Sequence, residues 1–335
     1  KNFKLKIASF FSINADPNTG QDHAMHDVSF TGQDAVNKNL PKVTVTNDSI
    51  NDNPYITSSA TENDTGSRYI DAKDTSLQDE LELHQLDGTH KYKVVDTLMD
   101  TKTGEAAKID GKPVTASQEF TADGKSGEHT NQKLTMKFDK ANFKGLQGNR
   151  YAFQAKIYRS GGDEDGKLLA TEFSLNDTNQ SIIVNKPTIT TKVRSAIKKN
   201  STTDTQLINP YTKSSWIDNV TANNLVKDHD YSAHLKMMIK NGDGSVSELK
   251  VNGKTVTADK DFTADNSQMN FDVDFGNVDT TSLKGKALVV YADITAKGDN
   301  DNALATHNDA NDTNETLQVT NPTMQTHALL DNDSI

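Results

Sequence analysis

Two stretches of this 335-residue chain place acid, imidazole and amide side chains in a shared frame. "LATEFSLNDTNQSIIV" (169–184) and "LATHNDANDTNETLQV" (304–319) agree at eight of sixteen positions, and the differences set Glu172 against His307 and Gln180 against Glu315. Carboxylates and imidazoles at such positions are the groups that move protons. Elsewhere the chemistry is thin. There is no Cys, which excludes disulfides, thiolate metal sites and Cys nucleophiles. The acidic stretches 161–167, 240–245 and 297–302 lack EF-hand spacing and read as solvated hairpin tips rather than metal sites. His23 and His26 stand three apart, which on a strand turns them to opposite faces. No GxSxG, HExxH, Walker or GxGxxG pattern occurs.

The elements that must position these groups are written twice. Pro54, Pro187 and Pro322 open related segments, "PYITSSA", "PTITTKV" and "PTMQTHA", 133 and 135 residues apart (187 − 54 and 322 − 187). Within each interval "IDGKPVTASQEFTAD" (109–123) answers "VNGKTVTADKDFTAD" (251–265), and 143–158 answers 283–296. Residues 1–40 parallel the end of a copy, with His26 in register with His307 and Asp34 at the Gln180/Glu315 position. The expected division is a partial repeat at 1–40, a linker at 41–53, repeats at 54–186 and 187–321, and the first strand of another at 322–335. Pro41 is the alternative start of the first full repeat.

The local pattern is strand. "KYKVVDTLM", "QKLTMKFD", "NRYAFQAKIY", "HLKMMIK" and "FDVDFG" alternate or are β-branched and aromatic, and Gly, Asn and Asp clusters separate them. Many short strands in each repeat predict an all-β fold: tandem immunoglobulin-like β-sandwich domains in an extended array. Two stretches fit less well. The apolar positions of 74–86 match neither period and leave room for a helix, and 194–215 reads as loop-rich and a candidate for disorder.

Composition narrows the partners. The net charge of −11 argues against nucleic acid and anionic membrane surfaces. No run approaches the eighteen apolar residues of a membrane span, and "IASFFSI" (7–13) is of strand length. The absence of an initiator Met and of a signal peptide suggests a mature product or a fragment. A hydrolase built on Asp79, Glu172 and Asp218 would need a cleft that a thin sandwich lacks, so no enzyme, cofactor or metal is expected. Aromatics are only 6% and fall mostly in strand patterns, which disfavours a sugar-binding platform, and Trp216 is expected in the core beside Asp218.

The order P-x-I-x-T, I-x-D-x-V, "TLMDTKTG" (97–104), the FTAD hairpins and a closing strand with His, Asp and Gln positions resembles the VaFE repeat. This is the Thr–Gln ester-bond domain of tandem stalk repeats in Gram-positive surface adhesins. The resemblance covers 54–321 and implies that a Thr on the first strand attacks a Gln carboxamide on the last, releasing ammonia. An Asp, a strand Glu and a His would assist, in dry surroundings that protect the ester. A crosslink closing over a hundred residues stabilises by roughly 5 kcal/mol.

Carried over residue by residue, the resemblance is uneven. The first repeat has Ser58 at the nucleophile position with Thr57 and Thr61 nearby, Asp79 at the acid position, Glu172 at the His position, and Gln180. Gln154 or Ala155 falls at the strand Glu. The second has Thr191, Asp218 and His307, but Glu315 stands where Gln belongs, and Ala292 beside Asp293 where the strand Glu belongs. A carboxylate repels an attacking alkoxide, so the second repeat is expected to be inactive. Gln318 lies three residues too late and on the wrong face to substitute. Thr326 fits the nucleophile position of a following repeat.

The resulting expectation is an extracellular stalk or spacer segment of a surface adhesin, cell-wall anchored in the full-length protein; the sequence leaves open whether an intramolecular Ser/Thr–Gln ester stabilises it or Gln180 simply hydrogen-bonds across the sandwich. Its partners would be neighbouring repeats and, through a tip outside this chain, an unidentified host or surface ligand. Nucleic acid and membrane insertion are not expected. The alternatives are a fibre subunit assembling by strand exchange between chains, or a carbohydrate- or protein-binding adhesin module.

Overall fold

The computed structural model describes residues 53–196, 205–210 and 213–327 and divides into two units, one ending at Asn185 and one beginning at Lys186. The expected partial repeat at 1–40, nearly all of the linker, and the end of the segment at 322–335 lie outside the described residues. Residues 321–327 form no strand. Among the described residues there is no α-helix, and none is therefore long and apolar enough to cross a membrane.

The first unit has eight principal strands: β1 Tyr55–Glu62, β2 Leu77–Asp87, β3 Lys91–Asp100, β4 Thr115–Thr121, β5 His129–Lys137, β6 Arg150–Arg159, β7 Leu168–Phe173 and β8 Ser181–Val184. They form two sheets. One runs β1-β2-β5; the other runs β8-β6-β3-β4, with β7 also on β6 and the short strand Tyr69–Ile70 parallel to β8. The first and last strands thus belong to opposite sheets.

The second unit repeats this plan with β9 Thr188–Ala196, β10 Lys213–Asn223, β11 Asp230–Lys240, β12 Thr257–Thr263, β13 Met269–Asp279, β14 Ala287–Ala296, β15 Ala303–His307 and β16 Thr316–Val319. One sheet is β9-β10-β13; β16, β14 and β11 make the other, joined by β12 and β15, with Leu207–Ile208 parallel to β16.

Alternation builds both cores. On β3, Tyr92 and Val94 turn inward between exposed or half-buried neighbours, and on β6 Ala155 and Ile157 do the same, while Met99 and Ala152 are buried beside Leu98 and between Tyr151 and Phe153. Phe138 packs on Phe153 with ring centres 4.8 Å apart. The Asp110–Gly111 and Asn252–Gly253 pairs both take positive φ, as a tight hairpin turn requires.

Two expectations need correction. The stretch 74–86 holds no helix; Leu77–Asp87 is a strand whose inward set is Leu77, Asp79, Leu81 and Leu83. The pattern breaks because Gln85 takes φ 58 and the register against β5 shifts between Leu83 and Leu86, a bulge that moves the next inward residue one place on. Much of the supposed loop at 194–215 is also ordered into pairing: β9 runs to Ala196, Leu207–Ile208 pairs with the last strand, and β10 starts at Lys213. Residues 197–204 and 211–212 lie outside the described residues.

Candidate crosslink sites in the two units

Each unit brings its candidate residues to one place by the same register. In the first, Ala60 pairs with Asp79 and Ser58 with Leu81, while the Ala60 N–H donates to the Asn179 carbonyl at 2.8 Å. In the second, Val193 pairs with Asp218 and Thr191 with Val220, and the Val193 N–H donates to the Asn314 carbonyl at 3.1 Å. The first strand is therefore tied, across the two sheets, to the residue that precedes Gln180 or Glu315. Ser58 stands to Gln180 as Thr191 stands to Glu315.

Parity on β1 decides between the hydroxyls of the first unit. Ser58 shares the inward face of Ile56 and Ala60, whereas Thr57 is exposed on the outer face, opposite Glu82. Thr57 therefore cannot serve as the alternative nucleophile.

Gln180 is sealed from solvent and its carboxamide is held at both ends. Its Nε2 donates to Glu172 Oε1, and its Oε1 accepts the Ser174 N–H at 3.3 Å. A backbone N–H on the carbonyl oxygen stabilises charge that develops there, and a carboxyl beside the nitrogen is placed to handle the leaving group's proton. Glu172 is buried beside Ala155, its cross-strand partner on β6.

Asp79 and Asp96 complete the first site. Both carboxyls are fully buried, one from each sheet, and sequence reasoning missed Asp96. Burial, offset in part by Asp96, the Ser59 N–H and the Ser58 hydroxyl, pushes Asp79 up to about 6. Burial and the neighbouring Asp79 charge push Asp96 well above the ordinary range. Burial thus favours the neutral form of both acids, and none of their four oxygens reaches a partner of good hydrogen-bond geometry. The signal for Asp96 was its parity: an acid in the inward set of "YKVVDTL" between Val94 and Leu98.

The strand positions to which the resemblance assigns a carboxyl carry none in either unit. Gln154 on β6 is half-buried, and Ala155 faces Asp96 on one side and Glu172 on the other. In the second unit Ala292 faces Leu235 and His307. Leu235 thus occupies the place of Asp96.

In the second site Thr191, Asp218 and Glu315 have relative exposures of 7%, 0% and 0%. Burial, then the charge of Asp218, pushes Glu315 up to about 8, with the Thr191 hydroxyl acting the other way. Burial pushes Asp218 up to about 7, the Asp272 charge adds to it, and the Lys192 N–H and Arg194 oppose it. The Thr191 hydroxyl lies close enough to affect Glu315, yet Thr191 Oγ1, both Glu315 oxygens and both Asp218 oxygens lack a partner of good hydrogen-bond geometry. His307 Nε2 lies 3.0 Å from Asp312 Oδ2. His307, Asp312 and Glu315 bring a ring nitrogen and two carboxyl oxygens within 4.8 Å of one another. Trp216 is fully buried in the core of this unit. Gln318 is exposed and donates to the Lys286 and Val319 carbonyls, outside the site. Thr326 is exposed in the segment after β16.

Residues 54–184 and 187–319 each match the family model described as the T-Q ester bond containing domain. Among solved structures, the chain is similar to a bacterial adhesin from Mobiluncus mulieris containing intramolecular disulfide, isopeptide and ester bond cross-links, in two crystal forms. The identities are 10% and 9%, the coverage 75% and 76% of this chain and 84% and 96% of that one, and the TM-scores 0.31 and 0.32. A red sea bream transglutaminase is similar at 12% identity over 79% of this chain and 31% of its own, with a TM-score of 0.25. No curated protein matches the sequence.

Proposed function

The chain belongs to the T-Q ester bond containing domain family through both of its units, and we propose that it is a non-enzymatic spacer segment of a bacterial surface adhesin, its first unit locked by a Ser58–Gln180 ester. Its place would be extracellular, in a protein anchored to the cell wall. The observation that carries this reading is the Gln180 carboxamide, held dry between the Ser174 N–H and Glu172 while Ser58 lies against Asp79.

The step balances without a cofactor. Ser58 Oγ attacks Gln180 Cδ and its proton passes to Asp79. The Cδ–Nε2 bond breaks, and the nitrogen leaves as ammonia after taking a proton through Glu172. Since β1 and β8 lie in opposite sheets, the bond joins the two layers and closes a loop of more than a hundred residues. Tension entering near the first strand and leaving after the last would pass through the ester, and the sandwich between would not extend.

Intact mass followed by peptide mapping under mildly acidic conditions tests the chemistry. A deficit of about 17 Da, located in a Ser58 peptide joined to the Gln180 peptide, is expected. Pulling on the chain then tests the spacer role: the first unit should show no unfolding extension, and Ser58→Ala should restore it. Full mass at both peptides would end the ester reading, and extension of a crosslinked first unit would end the mechanical one.

A further inference from the structure

The second unit departs from its family at the electrophile, where Glu315 replaces Gln, and the structure gives that replacement a use. We propose that Thr191 and Glu315 condense directly into an ester with loss of water, giving the second unit a crosslink that can re-form after hydrolysis. The linkage would be the one a Thr–Gln pair makes. Its open form, a free Thr and a free Glu, is also what hydrolysis of a Thr–Gln ester would leave.

Three observations support it. The Thr191 hydroxyl faces the Glu315 carboxyl from the opposite sheet, in a site closed to solvent. Thr191 Oγ1 and both carboxyl oxygens are buried without a hydrogen bond of good geometry, so the open form leaves three polar atoms unsatisfied. Condensation removes the hydroxyl donor and one of the oxygens. The third observation concerns charge. A carboxylate would repel the nucleophile, but burial and the facing Asp218 favour the neutral acid at Glu315, and a carboxylic acid is a competent acyl donor. The groups facing Glu315 are Asp218 from β10, Thr191 from β9, His307 from the end of β15 and, from its own connection, Asp312.

The step conserves atoms and electrons. Thr191 Oγ bonds to Glu315 Cδ, and Asp218 takes the hydroxyl proton. The Cδ–OH bond breaks, the departing hydroxyl receives the proton from Asp218, and water leaves. No oxidant or co-reactant is needed. A hydroxyl fixed against its target has an effective concentration of about 10⁵–10⁸ M, far above that of water, which lets condensation compete with hydrolysis. A Gln that has lost its ammonia to solvent cannot be regenerated in this way. The carboxyl of Glu315 can close again each time water opens it.

The test uses the whole chain and its Thr191→Val and Glu315→Gln variants. Wild type should be lighter by about 18 Da at joined Thr191 and Glu315 peptides, distinct in size and place from the ammonia lost at Gln180, and Thr191→Val should restore the full mass. Glu315→Gln should lose about 17 Da instead, which would show that the folded site joins Thr191 to residue 315. In water enriched in oxygen-18, an open Glu315 that gains label in wild type but not in Thr191→Val also supports the crosslink, because the ester must form and open to exchange. Unlabelled, full-mass Thr191 and Glu315 peptides in wild type would overturn the proposal, whatever the Gln variant does.

Discussion

Asp79 and Asp96 face each other across the first sandwich, one from each sheet, and burial pushes both carboxyls above the ordinary range. Among its described residues the second unit has no such pair. Leu235 stands in the place of Asp96, and the second buried acid is Glu315, at the electrophile itself. Each unit thus surrounds the first-strand hydroxyl with two carboxyls, but only the first keeps a carboxamide to attack.

Asp96→Leu, which copies the second unit, should therefore separate chemistry from stability. Without the Asp96 carboxyl, which offsets part of the cost of ionising the buried Asp79, Asp79 is a poorer base for Ser58, and the ammonia loss at Gln180 should slow markedly in a mass-spectrometric time course. In a Ser58→Ala background, where no ester forms, the same change should leave stability unchanged or raise it by about 1–4 kcal/mol, because a buried polar pair is exchanged for apolar packing. An unchanged crosslinking rate would show that Asp96 is only a tolerated core acid.

The second site should make stability depend on pH when its ester is blocked. In Thr191→Val, Glu315 remains an acid whose folded pKa lies near 8, above its ordinary 4.5, and Asp218 is raised in the same sense from 3.8 to about 7. The folded state then holds protons that the unfolded chain has lost. Stability is complete below the ordinary values and declines as pH climbs through them towards 8, by up to about 1.4 kcal/mol per pH unit for each proton. Urea midpoints from pH 4.5 to 8.5 should show the decline, and Thr191→Val/Glu315→Gln should remove the Glu315 share and leave the shallower Asp218 share. A flat profile in the single variant would contradict the buried-acid assignment.

Arg159 supports the first unit alone. Its Nη2 reaches Asp87 Oδ2 at 2.6 Å and its Nη1 donates to the Tyr92 hydroxyl at 2.8 Å, with the guanidinium over the Tyr92 ring. In the second unit Tyr231 still accepts the Val226 N–H at 2.8 Å, but Ala296 replaces the arginine. Arg159→Ala should cost about 2–3 kcal/mol through loss of these charge-assisted bonds. Chemical denaturation followed by hydrogen exchange in each unit would place the loss in the first.

Gly88 is a steric requirement. A Cβ there would run into the backbone carbonyl of Lys125, which no side-chain adjustment can relieve. Gly88→Ala should destabilise the first unit by about 1–3 kcal/mol, measured as a shift in its thermal midpoint. Gly111→Ala tests a different cost, since its Cβ would meet nothing and only its positive φ of 76° is strained.

Local pattern was enough for the repeat, for most strands and for the inward hydroxyls and acids. Alternation fixes which face a strand residue takes, so Asp79 between Leu77 and Leu81, and Thr191 between Ile189 and Val193, could be read as core positions from the chain alone. The β2 bulge escaped that reading because Gln85 spends one residue off the two-fold period, and the broken pattern looked like neither strand nor helix. Only the tertiary structure could join Asp96 to Asp79, because the pairing crosses between sheets and no spacing along the chain encodes it. The charge of Glu315 was decided there too. As a sequence letter it is a carboxylate that repels a nucleophile. Buried opposite Asp218 and Thr191 it is favoured as a neutral acid, since desolvation and a second nearby carboxyl both disfavour ionisation.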